Sequence, residues 1–186
     1  MSTTSIDAAW LDWLAEEAGA KVEVDNEGSV IVSPATDAHV FAASELHQQL
    51  VAVRTPELLV LVEGPRWTPL GPDRSSYVPD LCVVERRALH RPSGLWSLAP
   101  PPLLMVEIVS PDSRRRDLTE KAEAYFTGGA SAYWTIELPA LTGVTRPELT
   151  VRQRGRDAWE IRGPLTGAVH LNHPVDVRLD LDRLAF

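Results

Sequence analysis

Pro102-Leu-Leu-Met-Val-Glu107-Ile-Val-Ser-Pro111-Asp-Ser-Arg-Arg-Arg-Asp-Leu-Thr-Glu-Lys121-Ala-Glu-Ala-Tyr125 is the stretch on which the fold turns. Leu103 to Val109 is an almost continuous apolar run between prolines, with the length of a strand buried on both faces. Glu107 alone interrupts it, and a carboxylate in such a strand is costly unless something pairs with it or coordinates it. After Pro111, Asp112 or Ser113 supplies a helix cap and Gly128-Gly129 a stop. Leu118, Lys121, Ala122 and Tyr125 stand at i, i+3, i+4 and i+7, so the predicted helix turns Lys121 toward the sheet.

Outward from this block the chain reads as alternating short elements. Tyr77 to Glu85 is the preceding strand; Pro79 fixes the backbone and lacks a donor, so the strand proper begins near Asp80. Lys21–Asp25 and Ser29–Ser33 form a hairpin around Asp25-Asn26-Glu27-Gly28, with Glu23 on the face opposite Val22 and Val24. Helices are predicted over Ile6–Ala18, with Trp10, Leu11, Leu14 and Trp13 apolar, and from Thr36 or Asp37 to about Val53. The second carries a stripe of Val40, Ala43, Leu46, His47 and Leu50; His39 and His47 read as structural histidines. Leu58–Glu63 is a strand, Gly64–Ser76 a loop, and Arg86–Pro101 an irregular flap. Ala132–Leu138 is a second buried strand. Glu148–Arg154 with Ala158–Arg162, then Val169–Leu171 and Val175–Leu181, give a strand-rich C-terminus. The expectation is one α/β domain over residues 1–186.

Composition narrows the class. The apolar runs are too short to span a bilayer, and residues 1–10 lack a basic-then-apolar leader. The single cysteine, Cys82, excludes an internal disulfide framework and a cysteine zinc site. A reducing cytoplasm fits both observations. The net charge of −8 argues against an indiscriminate grip on phosphates. Arg114–Arg116, with Arg86, Arg87 and Arg91 nearby in sequence, form either a local basic site or a solvated surface.

Asp80 and Glu107 each mark an apolar strand, and neighbouring strands would bring their oxygens to one point. Converging carboxylates repel unless a cation or proton sits between them, and hard oxygen ligands suit magnesium or manganese. A nearby lysine adds charge at a phosphate and orients water. The alternative is an Asp80 that merely opens a strand and a Glu107–Lys121 pair that is a buried salt bridge. Spacing leaves both readings open.

Pro79-Asp80, Val106-Glu107-Ile108-Val109-Ser110 and Arg116-Asp117-Leu118 with Lys121 and Tyr125 closely resemble the bacterial "putative restriction endonuclease" domain family of the PD-(D/E)XK nuclease superfamily. Lys21–Asp25 with Gly28, Ser33–His39, Gly129–Trp134 and Val177–Leu184 extend the resemblance over most of the chain. It implies a restriction-endonuclease-like core, a mixed central β-sheet flanked by helices. It also implies a Mg²⁺- or Mn²⁺-dependent site that hydrolyses phosphodiester bonds in DNA. In that reading Asp80 and Glu107 hold the metal and the Ile108 carbonyl adds a ligand. The superfamily's lysine two residues after the glutamate is replaced here by Val109, and the family's shift of that lysine onto the next helix points to Lys121. Glu23 matches a glutamate of the first hairpin and joins the acidic cluster. A homodimer is expected, with apolar residues between Trp67 and Trp96 at its interface. The competing reading is a non-catalytic binding or assembly module on the same fold.

Overall fold

The computed structural model describes residues 8–68, 75–90, 97–98 and 102–186. Helix α1 (Ala8–Ala18) passes through Gly19, at φ 58°, into a hairpin of β1 (Lys21–Val24) and β2 (Val30–Ser33). Leu11, Leu14 and Ala15 pack on Val22 and Val24. Trp10 and Trp13, expected on the apolar face, are instead 45% and 54% exposed. A two-stranded hairpin offers only a narrow surface, and the i, i+3, i+4 set of Leu11, Leu14 and Ala15 already covers it.

Helix α2 (Asp37–Leu50) begins at Thr36, whose hydroxyl accepts the His39 N–H at 3.3 Å, and runs into a 3-10 turn at Val51–Val53. Ala42, Ala43, Leu46 and Leu50 face the core, while Val40 lies outside the buried stripe at 54% exposure. Then follow β3 (Leu58–Val62), β4 (Leu81–Glu85), the short pair β5 (Leu89–His90) and β6 (Ser97–Leu98), and β7 (Leu104–Val109). Helix α3 (Lys121–Thr127) links β7 to β8 (Ala132–Glu137). A short helix α4 (Pro139–Thr142), absent from the sequence reading although Pro139 opens it and Gly143 closes it, precedes β9 (Glu148–Arg154) and β10 (Trp159–Leu165). The pair β11 (Ala168–Leu171) and β12 (Val177–Asp180) completes the chain with a 3-10 turn at Leu181–Leu184.

Six strands form one mixed sheet in the order β10-β9-β8-β7-β4-β3. β7 and β8 run parallel, and their neighbours pair antiparallel. A parallel pair needs a crossover, and α3 with the turns before it is that crossover. β7 is central and buried at all six positions, as its apolar run requires. One face of the sheet (Leu81, Val83, Val106, Ile108, Trp134) packs on Leu46 and Leu50 of α2 and on Val177, Leu179, Leu181 and Leu184. The other (Cys82, Val84, Met105, Tyr133) packs on Trp67, Tyr77 and Tyr125. Glu107 alternates in phase with Met105, so it projects to this second, aromatic face, where α3 lies.

Burial pushes the Cys82 thiol up to about 12, which makes it an inert core residue. Trp67 is 3% exposed, and its ring centre lies 5.2 Å from that of Tyr125, the rings tilted by 58°. It belongs to the core and not to an exposed apolar interface. Trp96, Arg91 and most of the expected flap lie outside the described residues. Among the described residues no helix is long and apolar enough to cross a membrane.

Candidate active site

Register builds the first half of the site. β4 and β7 pair Leu81 with Val106, so the next position across the ladder sets Asp80 against Glu107. Asp80 is fixed at once by the backbone: its Oδ2 accepts the Ile108 N–H at 2.6 Å. The same oxygen lies 3.1 Å from His39 Nε2, in the first turn of α2.

The hairpin brings the second half. A bridge between Val24 and Ser76 docks β1, and the Val78 N–H donates to Glu23 Oε1 at 2.9 Å. Buried Arg66 fastens this joint, with Nη1 donating to the Val22 carbonyl at 3.0 Å and Nε and Nη2 to Asp12 Oδ1 at 3.0 and 2.9 Å. Because the alternation of β1 puts Lys21 and Glu23 on one face, both enter the site.

The third contribution comes from the segment after β7. Ser110 and Ser113 lock a turn by reciprocal bonds, the Ser110 N–H to Ser113 Oγ at 3.1 Å and the Ser113 N–H to Ser110 Oγ at 3.2 Å. A π turn at Arg116–Glu120 then leads into α3. The predicted helix is therefore not uniformly α. Leu118 is only half-buried, and Asp117, accepting from the Ser113 hydroxyl, takes the inward place at 1% exposure. Lys121 and Tyr125 point inward as the spacing indicated.

These side chains form one ion network. Lys121 Nζ lies 3.0 Å from Glu23 Oε1, 3.0 Å from Glu107 Oε1 and 3.2 Å from Asp117 Oδ1. Tyr125 donates its hydroxyl to Glu107 Oε1 at 2.8 Å, and the Tyr77 ring centre lies 5.7 Å from Lys121 Nζ. The Lys21 ammonium bonds Asp80 Oδ1 and lies 3.6 Å from Glu107 Oε2. Arg116 Nη2 stands 3.8 Å from Glu23 Oε2, an oxygen that is buried without a hydrogen bond. Arg114 pairs with Glu137 and Arg115 with Glu120, so of the arginine run only Arg116 faces the site. The structure thus gathers Glu23, Asp80, Glu107 and Lys121 and adds Lys21, His39 and Asp117. All of them line a cleft of about 1140 Å³.

Burial alone would raise every carboxyl here. For Asp80 the ammonium of Lys21 and the His39 contact outweigh it and hold the group well below the usual carboxylate range. Glu23 is likewise held low by Lys121, Lys21 and the Val78 N–H. Glu107 goes the other way: burial, with crowding by Asp80 and Asp117 added, pushes it up to about 8 despite both lysines. Lys21 and Lys121 are desolvated, yet the surrounding carboxylates raise both above the ordinary lysine value.

These opposite shifts predict an observable pH dependence in metal-free buffer. A carboxyl whose folded pKa is raised binds more protons folded than unfolded, so stability falls as pH rises from about 4.5 to about 8. Asp80 and Glu23, with lowered values, act oppositely: their contribution is present above the unfolded pKa and lost as pH falls through the folded one. Glu107→Gln is expected to remove the decline between pH 5 and 8 while keeping the acid-side loss. Thermal melts at stepped pH check this; a variant whose melting temperature falls in parallel with the wild type refutes it.

Among the described residues no three His, Cys, Asp or Glu side chains are spaced to hold a metal ion. The donor set nevertheless has the chemistry a hard cation takes. Asp80 Oδ1 and Glu107 Oε2 already face one positive charge, and Glu23 Oε2 has no hydrogen-bond partner.

The six-stranded mixed sheet flanked by helices, with extra antiparallel strand pairs beside it, is a nuclease-like fold. The chain belongs to the Uma2 family, described as "Putative restriction endonuclease", whose profile matches residues 8–182. Among solved structures it is similar to one described as a "putative nuclease belonging to DUF820" from Anabaena variabilis. That likeness has a TM-score of 0.64 and 21% identity, and it covers 89% of this chain and 90% of the other. No curated protein sequence matches it.

Proposed function

We propose that the chain is a metal-dependent endonuclease that hydrolyses phosphodiester bonds of DNA in the cleft. The observation that carries this reading is the convergence of Asp80 Oδ1 and Glu107 Oε2 on a single cationic position at the cleft wall. Asp80 and Glu107 would hold Mg²⁺ or Mn²⁺, with the Ile108 carbonyl as a further ligand and Glu23 completing the acidic set. When bound, the cation supplies positive charge to the phosphoryl oxygens and acidity toward water. The protein's own part is orientation. The Ile108 N–H and His39 hold Asp80, Tyr125 holds Glu107, and Lys121 holds Glu107, Glu23 and Asp117 together. Arg116, beside Glu23 at the cleft, is placed to meet a phosphate. Cutting both strands of a duplex calls for two such sites, and a two-fold homodimer would supply them.

A second reading, a binding or assembly module without catalysis, draws on the two ammoniums that already neutralise the carboxylates. Incubation with supercoiled, linear duplex and single-stranded DNA separates the two. Cleavage with Mg²⁺ or Mn²⁺ that EDTA stops is the expected result. DNA retention without cleavage in either metal would favour the module.

A further inference from the structure

We propose that Lys21 is the resident counter-ion of this site. Its ammonium keeps the position between Asp80 and Glu107 that a divalent cation takes, and it swings to the substrate phosphate when the cation enters. The inference rests on the metal-dependent reading above and adds to it a residue to which the sequence motifs gave no role.

The two lysines of the network are not equivalent. A lysine ammonium has three N–H donors. Those of Lys121 face Glu23, Glu107 and Asp117, and its side chain is 1% exposed. Held among three carboxyl groups, it is the less free of the two to turn toward a phosphate. Lys21 is the first residue of β1, its side chain is 16% exposed, and it contacts Asp80 closely and Glu107 loosely, at 3.6 Å. Neither carboxylate depends on it for orientation. Asp80 keeps the Ile108 N–H and His39 if Lys21 leaves, and Glu107 keeps Lys121 and Tyr125. The departure costs the pair only a unit positive charge, which a divalent cation more than restores. The freed ammonium, at the end of a flexible four-carbon stem, stays at the cleft where an anionic substrate would lie.

Calorimetric titration of Mn²⁺ into the wild type, Lys21→Met and Lys21→Gln tests the inference. A competing ammonium that fills the position in nine molecules of ten lowers apparent affinity about tenfold, so both variants are expected to bind Mn²⁺ about tenfold more tightly. They should also cleave DNA more slowly, a split between cation binding and turnover that a merely structural lysine would not give. In the wild type, acetylation of Lys21 by an amine-reactive ester, read by peptide mass spectrometry, should rise when Mn²⁺ is added while Lys121 stays protected. This labelling decides the matter if the variants do not fold. Mn²⁺ binding by the wild type that is unchanged or weaker in the variants, or Lys21 labelling indifferent to Mn²⁺, overturns the counter-ion role and leaves the metal site standing. Failure of all three proteins to bind Mn²⁺ overturns the metal reading, and the counter-ion role with it.

Discussion

Lys121→Ala is expected to destabilise the chain by about 3–5 kcal/mol at pH 7, the range found when one partner of a buried ion pair is removed. Three carboxyl groups meet this one ammonium, and Glu23, Glu107 and Asp117 are each 1% exposed or less. Without it, Glu23 and Asp117 lose the ammonium that faces them both, and Arg116, 3.8 Å from Glu23, is the nearest substitute cation. For a chain of this length each kcal/mol moves the melting temperature by about 2–4 °C, so the loss corresponds to roughly 6–20 °C. The deficit should shrink toward pH 4, where the stranded carboxyls take up protons. A Lys121 that served only the transition state would give the opposite pattern, a wild-type melt with cleavage alone abolished. Glu123→Ala, on the exposed side of α3, is the control and should melt as the wild type does.

Asp80→Asn is expected to abolish metal-dependent cleavage, by at least on the order of 10²-fold, since even an outer-shell partner of a metal ligand is worth 10–100-fold. The substitution is isosteric but chemically wrong on both sides. Asp80 accepts from the Ile108 N–H and faces His39 with one oxygen, and it bonds Lys21 with the other. An amide nitrogen turned to either side meets a donor with a donor. The loss of charge also removes half of the pair proposed to hold the cation. Calorimetry with Mn²⁺ and a plasmid-nicking assay, run together, check the prediction. Wild-type cleavage by this variant would place the catalytic metal elsewhere in the cleft.

The parts of the site legible in the sequence were those where chemistry broke a pattern. Glu107 stands out because all its β7 neighbours are apolar, and Asp80 because it follows Pro79 at the start of a strand. Lys121 and Tyr125 emerged from helical spacing. Lys21 carried the same kind of signal, since alternation in Lys21-Val22-Glu23-Val24 places it with Glu23, but an unremarkable lysine at a strand start draws no notice. Asp117 was obscured for a different reason. The apolar Leu118 looked like the inward residue of an α-helix, and the π turn at Arg116–Glu120 gave that place to Asp117. His39 was read as structural; its partner Asp80 is 41 positions away, and nothing local announces the meeting. The indoles of Trp10 and Trp13 misled because periodicity reports which residues share a face, not how wide a surface awaits them.

The antiparallel ladder between β4 and β7 has a bearing on which length changes this chain tolerates. Asp80 meets Glu107 because Leu81 is opposite Val106, and in a strand a slip of one residue turns every side chain to the other face. An insertion in the connection between these strands would leave that correspondence intact. One residue added between Val106 and Glu107 would send the carboxyl group into the apolar layer beside α2 while altering the composition hardly at all. The carboxyl pair is thus written in the spacing of two strands as much as in two acidic letters, and relatives that vary in length should do so outside Asp80–Val83 and Leu104–Ile108.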